Sequence, residues 1–330
     1  VGTRSAAAYG DLTVDFSDRF SLEAGLRYTS ETKTGTVFNQ GYTDATFTTP
    51  TGFVAADFTD SKTFNAWSPR LNLSWRPSED MLLYVQASRG FKSGSYNIRA
   101  NTRFVPGSDR PYKDEVATSY ELGAKTQWRD GRLTLNAALF HTDYRDLQLS
   151  VAVKVDTDGD GIKDTLFGDF KNAGAATIDG AEFELAAQTG HHFKWLANVG
   201  YLHARYDEYI SDGVNIADSQ QLVDAPRWTG GLSAIAEVPL GAAGSVVARV
   251  DGHYQSKLYY STEPDDGVAQ DGYTLWNASL TYRPQQQHWQ LALFGQNLGN
   301  KSYRTSGNSA PLIGYYGPPR TVWLSLSWFF

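Results

Sequence analysis

The 330-residue sequence contains no cysteine and only one methionine. Without cysteine there is no disulfide framework, no thiolate metal site and no cysteine nucleophile. Positive charge is also scarce, since 29 lysines and arginines stand against 36 aspartates and glutamates and leave a formal charge of −7. A nucleic-acid binder needs a basic surface to neutralise phosphates. We therefore expect no nucleic-acid partner.

Long hydrophobic runs are missing as well. No stretch approaches the roughly 18 consecutive apolar residues of a membrane-spanning helix. Aromatic residues, by contrast, make up 14% of the chain, and there are 31 glycines. This balance favours strands and turns over helices. We therefore expect an all-β protein.

Apolar and polar residues alternate along much of the chain. At the C-terminus, Val322, Leu324, Leu326, Trp328 and Phe330 fall on one face of an extended segment, and serines and a threonine occupy the other. About thirteen such segments occur, most of them about 10 to 14 residues long, whereas soluble strands usually have ~5 to 6 residues and tilted membrane strands ~9 to 11. The pattern predicts amphipathic strands long enough to cross a membrane.

The connectors between these segments alternate between short and long. The short ones are predicted at 17–19, 77–80, 129–132, 190–192, 240–244 and 284–287, and the long ones at 31–62, 93–114, 155–168, 207–226, 261–272 and 299–319. Short turns at one rim and long loops at the other are typical of an antiparallel transmembrane β-barrel, with turns in the periplasm and loops outside the cell. The sequence therefore predicts a protein of the bacterial outer membrane.

Aromatic and charged residues fit such a barrel. The aromatic residues near segment ends are predicted to lie at the two membrane interfaces; they are Trp75, Tyr84, Trp128, Trp195, Trp228, Trp276, Trp289 and Trp328. The charged residues on the polar face are predicted to line the lumen; they are Arg27, Glu121, Lys125, Glu182, Glu184, Arg249, Asp251 and His253.

Other protein classes fit less well. A soluble β-sandwich or propeller also has half-buried strands, but it would not explain the strand lengths or the asymmetry between the two rims. An enzyme is not expected, because the sequence has no nucleophile elbow, no His-Glu-x-x-His motif and no phosphate-binding loop. A passive porin and an adhesin or secreted binding protein stay open as alternatives.

Several stretches together resemble one family. They are Ser68 to Pro77 with Leu83 to Gly94, Glu115 to Ala124, Asn172 to Gly174 with Ile178 to Glu184, and Asn297 to Tyr303 with Gly317 to Arg320 before the closing strand. In this combination the chain resembles the barrel of TonB-dependent outer-membrane receptors. The resemblance implies a barrel of 22 strands around a plug. About thirteen strands would make residues 1–330 the C-terminal portion of that barrel, with the plug, the TonB box and the early strands upstream.

The resemblance also implies a function and partners. The expected function is active uptake of a scarce ligand, most often a ferric siderophore, energised by the TonB complex acting on the plug; haem, cobalamin and oligosaccharide receptors are alternatives. The expected partners are the lipid of the outer membrane, the TonB complex, the iron–siderophore ligand and the barrel-assembly machinery, for which Phe330 is the terminal aromatic signal. No cofactor is required, and iron enters only as part of the ligand. The ligand contacts we predict in the long loops are Tyr96, Arg99, Arg103, Tyr112, Tyr315 and Tyr316.

One loop has the spacing of a calcium site. Asp156, Asp158, Asp160 and Asp164 occupy positions one, three, five and nine of such a loop, and the carbonyl of Ile162 would add a ligand at position seven. Position twelve is Phe167 and not the glutamate of an EF-hand. The sequence is therefore compatible with a shorter calcium loop or with a solvated acidic loop.

Overall fold

The computed structural model describes residues 1–157, 159–211, 213–309 and 312–329. Within these residues the chain forms eighteen strands; they are β1 Gly2–Ser17, β2 Phe20–Tyr42, β3 Pro50–Ser78, β4 Met81–Lys92, β5 Glu115–Trp128, β6 Leu133–Val155, β7 Thr165–Thr189, β8 Phe193–Ser211, β9 Val214–Asn215, β10 Trp228–Pro239, β11 Ser245–Gln255, β12 Leu258–Tyr259, β13 Ala269–Gln270, β14 Tyr273–Arg283, β15 Trp289–Gln296, β16 Arg304–Ser309, β17 Leu312–Tyr316 and β18 Thr321–Trp328. Two short 3-10 helices, Ala217–Ser219 and Gly241–Ala243, are the only helices in the described part of the chain. Neither has the length or apolar character to cross a membrane.

One large sheet contains most of these strands. Its order is β1-β2-β3-β4-β5-β6-β7-β8-β10-β11-β14-β15-β18, with β9 paired to β8. Every neighbouring pair on this path is antiparallel, and the sheet is open between β1 and β18 over the described residues. The path has thirteen strands, which confirms the predicted number. The hairpins β12–β13 and β16–β17 lie outside it.

The register places apolar side chains on a single face. Leu22 pairs with Leu73, Leu73 with Val85, Val85 with Leu122, and Leu122 with Leu139. Since paired residues project to the same side of a sheet, this row forms a continuous apolar strip across five strands. Leu122 and Leu139 are 57% and 58% exposed. We call this side of the sheet the apolar face, and the opposite side the polar face.

The polar face carries the charges that the alternation predicted for the lumen. Glu121 pairs with Gln86, Glu184 with Asn136, and Asp251 with Ser233. All eight charged residues predicted to line the lumen share this side of the sheet. The prediction of their common face is confirmed.

Aromatic side chains mark two borders of the apolar face. Ring pairs lie near the short turns at Phe20–Trp75 (5.9 Å between centroids) and Tyr282–Trp289 (5.6 Å), and near the long connectors at Tyr28–Trp67 and Tyr201–Trp228 (4.8 Å each). Amphipathic rings at two heights on one apolar face are the arrangement expected where a membrane ends on each side.

Tyr84 does not belong to these borders. It pairs with Gly123 and Ser74 on the polar face, and its hydroxyl donates a hydrogen bond to Glu121 at 2.5 Å. The interfacial position predicted for Tyr84 is therefore wrong. The reason is parity, because Tyr84 is one residue out of phase with Leu83 and Val85, which lie on the apolar face.

The first long connector is mostly strand. The sequence predicted a loop over 31–62, but β2 continues to Tyr42 and β3 begins at Pro50. Hydroxyl pairs such as Thr32 with Thr63, at 2.9 Å, join the two extensions. The predicted boundary was placed where apolar residues stop, whereas β-branched threonines continue a strand in water.

Buried apolar side chains gather in the strand extensions. Val37 and Ala56 of β2 and β3 pack with Ala100, and Val151, Ala173 and Tyr209 of β6, β7 and β8 form a second cluster. The small cores of the molecule therefore lie beyond the aromatic border near the long connectors.

Candidate functional site

The polar face of the sheet is a network of polar contacts. The Lys125 ammonium lies 5.8 Å from the centre of the Tyr84 ring, and Asn136 donates to Glu184 at 3.2 Å. Arg249 holds Asp251 through its Nε at 2.8 and 2.9 Å. Contacts of this kind satisfy these charged groups within the wall and leave a hydrophilic surface. Such a surface suits contact with water or with a polar domain.

The long connector 93–114, which we call the mouth segment, packs against the β2–β3 hairpin. Tyr96 is only 3% exposed, and its hydroxyl donates to Asp60 at 2.9 Å. A Cβ at Gly35 would lie 2.6 Å from the Tyr96 ring, so the close contact requires glycine there. Asn39 adds a hydrogen bond from its Nδ2 to the carbonyl of Ala100 at 3.0 Å.

Burial affects the chemistry of Tyr96. Burial and the neighbouring Asp60 carboxylate raise the pKa of the Tyr96 hydroxyl to about 12. The hydroxyl stays protonated at physiological pH and donates its hydrogen bond to Asp60. In this structure Tyr96 therefore anchors the mouth segment, and its predicted role in ligand contact stays a prediction.

The mouth segment also contacts the β6–β7 hairpin. The Nδ2 of Asn97 donates to Asp169 Oδ1 at 3.0 Å, and each of the two residues is 2% exposed. Asp169 also pairs with Lys171 at 3.2 Å. Asn97 Oδ1 accepts the backbone N–H of Arg99 at 2.9 Å. A buried polar pair of this kind fixes the segment, because breaking it would leave an unpaired carboxylate.

Aromatic rings and arginines cover the mouth segment. The Phe104 ring stacks between Phe53 and Phe167, with centroids 5.7 and 5.8 Å away. The Arg103 guanidinium lies 5.1 Å from the Phe53 ring centre, at the end of this row. Phe53 lies in β3, Phe104 in the mouth segment and Phe167 in β7, so the row joins these three elements into one surface.

Arg99 and Tyr112 lie over a second ring. The Arg99 guanidinium is 5.2 Å from the centre of Phe170 and donates to Ser150 at 3.2 Å. Tyr112 stacks on Phe170 with centroids 6.0 Å apart. Arg99 and Arg103 are both exposed, so their flat cationic groups are presented to solvent on aromatic supports. Of the six residues predicted as ligand contacts, the structure thus brings Arg99 and Tyr112 together on one ring. Arg103 lies over a separate ring, and Tyr96 is buried.

The other two predicted contacts lie on a separate hairpin. Tyr315 and Tyr316 belong to β17 and are each 61% exposed. The Arg304 guanidinium lies 5.9 Å from the Tyr316 ring, but it also donates to the carbonyl of Ala269 at 2.6 Å. These tyrosines are available to a ligand, and their contact with one stays a prediction.

Asn297 fixes the base of that hairpin. The residue is 5% exposed and has a positive φ of 47°. Its Nδ2 donates to the carbonyls of Lys301 and Pro318, at 2.8 and 3.1 Å, and its Oδ1 accepts the Lys301 N–H at 2.8 Å. Asparagine tolerates this left-handed backbone better than most residues. The side chain therefore ties together the two arms that lead into and out of β16–β17.

The acidic loop at 156–164 is held by its own backbone. Asp156 accepts the N–H groups of Gly159 and Gly161 at 2.7 and 2.8 Å, and Asp160 accepts that of Ile162 at 2.7 Å. Asp158 lies outside the described residues. Among the residues that are described, no three acidic or histidine side chains come together as a metal site. Calcium binding stays a prediction.

The last strand ends at the short-turn rim. Trp328 pairs with Trp289 at the end of β18, and Phe329 donates its N–H to the carbonyl of His288 at 2.8 Å. Phe330 itself lies outside the described residues, so its predicted role in assembly is not tested.

Comparison with known proteins gives the family. The family described as TonB dependent receptor-like, beta-barrel matches residues 1–298. The chain belongs to this family of bacterial outer-membrane β-barrels. The homologues that it matches are receptors and transporters and not enzymes. The apolar face is therefore the lipid-facing outside of the wall, the short turns are periplasmic and the long connectors are extracellular.

Individual relatives agree with this assignment. The pesticin receptor of Yersinia pestis is 25% identical over 324 residues, which is 96% of this chain and 42% of that protein. The ferric-pyoverdine M114 receptor PbuA of Pseudomonas sp. strain M114 is 28% identical over 65% of this chain and 24% of its own length. The crystal structure of the ferric yersiniabactin uptake receptor FyuA from Yersinia pestis superposes with a TM-score of 0.76 at 22% identity, covering 98% of this chain and 45% of that one. The chain thus spans less than half the length of these relatives.

Sequence reasoning missed the residues that organise the mouth. Asn97 lies in a region predicted as a loop and Asp169 directly follows another, and no alternation of apolar and polar residues shows that they are buried. Asn297 was part of the motif that carried the family resemblance, but nothing local assigned it a role. Its sequence signal is an asparagine followed by Leu298 and Gly299 directly after an apolar strand, a combination that favours a left-handed turn.

Proposed function

We propose that this protein forms the wall and mouth of a receptor that takes up a ferric siderophore, with TonB supplying energy through a plug inside the barrel. The observation that carries the proposal is the pair of exposed guanidinium groups, Arg99 and Arg103, held over phenylalanine rings at the mouth. Anionic iron chelates with flat aromatic or conjugated groups are bound well by cations and rings presented together.

The wall supports the transport half of the proposal. A paired, polar inner surface suits a plug that must bind firmly and yet move, because each wall contact is a hydrogen bond or ion pair of modest net strength. Relatives whose names state a ferric siderophore as cargo support the same substrate class. Haem, cobalamin and oligosaccharide are the alternative cargoes, and a passive porin is the alternative mechanism.

The test is uptake by cells that produce the full-length receptor. Two strains would be compared, a strain in which the receptor gene is deleted and the same strain complemented with that gene. Each would be given radiolabelled iron as ferric catecholate, ferric hydroxamate, ferric pyoverdine or ferric yersiniabactin. We expect receptor-dependent uptake of one chelate class, and we expect it to stop when TonB is inactivated. Receptor-dependent entry that persists without TonB would overturn the transport mechanism in favour of a porin. Uptake of haem, cobalamin or an oligosaccharide instead would overturn the substrate class.

The mouth is tested by a pair of matched variants. Arg99→Gln with Arg103→Gln removes two charges from the mouth segment, and we expect weaker binding of the transported chelate with TonB dependence unchanged. Arg129→Gln with Arg132→Gln removes two charges from a short turn at the opposite rim, and we expect wild-type uptake. Equal effects of the two double variants would contradict a specific role for Arg99 and Arg103.

For the loop at 156–164 we propose calcium binding as a separate property. The support is the spacing of its carboxylates and the tight turn that Asp156 builds with Gly159 and Gly161. Calorimetric titration of calcium into the full receptor is the test, with Asp160→Ala as the variant. Absence of a heat signal, or an unchanged signal in the variant, would refute it.

A further inference from the structure

The polar face is not uniform around the wall. The eight charged residues predicted for the lumen all lie on β2, β5, β7 and β11. By contrast, residues 275–281 of β14, 290–296 of β15 and 321–327 of β18 include no charged residue and no histidine. These three segments form one continuous surface, because β14 pairs with β15 and β15 with β18. We call their polar face the neutral sector.

Two aromatic rings lie in the neutral sector. Phe294 and Trp323 stack with ring centroids 5.1 Å apart and ring planes inclined by 14°. Phe294 pairs with both Trp323 and Ser279, and Ser279 pairs with Arg249 of the polar face. Paired residues project to the same side of a sheet. The two rings therefore face the lumen, where lipid cannot be their partner.

A second aromatic pair lies on the same side of the wall, closer to the mouth. Tyr273 and Tyr303 stack with ring centroids 4.9 Å apart. Tyr273 begins β14 six positions before Ser279, which is about 20 Å along a strand. The even separation gives Tyr273 the phase of the polar face. The chain that carries the exposed Tyr315 and Tyr316 leaves the sheet after β15 and returns at β18. Aromatic rings thus follow one side of the barrel from the mouth into the lumen.

Fixed charges make the other strands a poor path for an anionic cargo. Carboxylates such as Glu121 and Glu184 repel an anion, and cations such as Lys125 and Arg249 hold it. A path for transport needs binding that is strong enough to admit the cargo and weak enough to release it. Neutral polar groups and ring faces meet both conditions, because stacking on a ring adds only a modest attraction.

We propose that the neutral sector is the side of the lumen along which the cargo passes. In this proposal the Phe294–Trp323 pair is a stacking site for the flat conjugated group of an anionic iron chelate on its way to the periplasm. The inference rests on the proposed function, which supplies the class of cargo. It adds a division of the wall, in which the charged strands hold the plug and the cargo moves between the plug and the neutral sector.

The test separates binding at the mouth from passage through the lumen. Cells that produce the full-length receptor are given radiolabelled ferric catecholate, ferric pyoverdine or ferric yersiniabactin, and the chelate that the wild type takes up is followed. Affinity is measured without active TonB, and the maximal uptake rate with it. For Phe294→Leu with Trp323→Leu we expect the rate to fall about fivefold or more, with the affinity unchanged. The single variant Trp323→Phe keeps a ring and should retain most of the rate.

The matched control removes two rings from the polar face outside the neutral sector. It is Phe140→Leu with Tyr144→Leu on β6, and we expect wild-type uptake. Correct assembly of each variant is checked by heat-modifiable electrophoretic mobility. An unchanged rate in the Phe294 and Trp323 double variant, or an equal loss in both double variants, would overturn the path.

A pair of charge variants tests the neutral sector without removing a ring. Gln296→Glu adds a carboxylate beside Thr321, between the two aromatic pairs, and we expect it to slow uptake of the anionic chelate. Gln86→Glu adds the same group opposite Glu121, in the charged part of the wall, and should leave the rate unchanged. An equal effect of the two substitutions would contradict a path on one side of the lumen.

Two further outcomes are distinct from these. If the rings only seal the wall against the plug, the Phe294 and Trp323 double variant would admit a large antibiotic that the intact outer membrane excludes, without active TonB, and this result would overturn the stacking site. If the wild type takes up none of the chelates in a TonB-dependent manner, the proposed function fails and this inference fails with it. Normal uptake by the wild type and by every variant would overturn this inference alone.

Discussion

The same strands are stabilised in opposite ways below and above the extracellular aromatic border. Below it, side chains such as Leu122 and Leu139 are more than half exposed, and stability depends on contact with lipid. Above it, Val37, Ala56 and Ala100 are buried as in a water-soluble protein. The comparison shows that a strand of 23 or 29 residues, such as β2 or β3, has two parts. One part is stabilised in lipid and the other in water.

The difference matters for how substitutions act. In the membrane part, one face tolerates only apolar residues and the other tolerates polar ones, so the effect depends on parity. In the extracellular part, the effect depends on whether a particular buried contact is lost. Each of the following predictions tests one side of this contrast.

The largest effect is expected for a charge on the apolar face in mid-membrane. Val250 lies in the middle of β11, on the face shared with Ala234 and Ala278. We expect Val250→Arg to lower the free energy of unfolding by about 2 to 4 kcal/mol in a bilayer. The control is Val247→Arg on the polar face of the same strand, opposite Glu237, which should cost little. Urea unfolding of the receptor from lipid vesicles measures both, and equal losses would contradict the assignment of faces.

A smaller effect is expected in the mouth. Asn97→Ala removes the buried hydrogen bond to Asp169 and should destabilise the local fold by about 1 to 3 kcal/mol. The readout is the rate of proteolysis within residues 93–114 of the folded receptor. Ile98→Ala, at a site 61% exposed, is the neighbouring control and should leave the rate unchanged. Unaltered proteolysis of Asn97→Ala would show that the pair does not hold the mouth segment.

The smallest effect is a pH dependence at the tip of the β2–β3 hairpin. Asp44 accepts hydrogen bonds from the Thr46 hydroxyl at 2.5 Å and from the Thr49 N–H at 2.7 Å, and these bonds lower its pKa below the ordinary value of 3.8. A lowered pKa in the folded state means that the stabilisation is present above pH 3.8 and is lost as the pH falls below it. We expect the protection of residues 44–49 from hydrogen exchange to decline over that range. In Asp44→Asn it should be weaker and independent of pH, and a wild-type profile in that variant would exclude Asp44 as the cause.

The membrane part of the fold could be predicted from the sequence, because there a single solvent imposes a period of two on each strand. Thirteen strands and the common face of the lumen charges followed from that period. Tyr84 was misplaced because an aromatic residue near a strand end was assigned by its position along the strand and not by its phase.

The mouth could not be predicted in the same way. The contact between Asn97 and Asp169 joins residues 72 positions apart, and no local pattern encodes such a partner. The candidate ligand contacts were chosen by side-chain type. Side-chain type indicates which groups could bind a ligand, but not which of them already make contacts within the protein. Tyr96 illustrates this, because its hydroxyl could bond to a ligand but donates its hydrogen bond to Asp60.

The bridging position of the mouth segment has a consequence for the order of folding. Most neighbours in the large sheet are consecutive strands, so their pairing joins segments that are close in the chain. The mouth segment instead joins β2–β3 to β6–β7, through Asn39 with Ala100 and Asn97 with Asp169. Since these contacts need both hairpins, we expect the entrance to be the last part of this region to acquire its native shape.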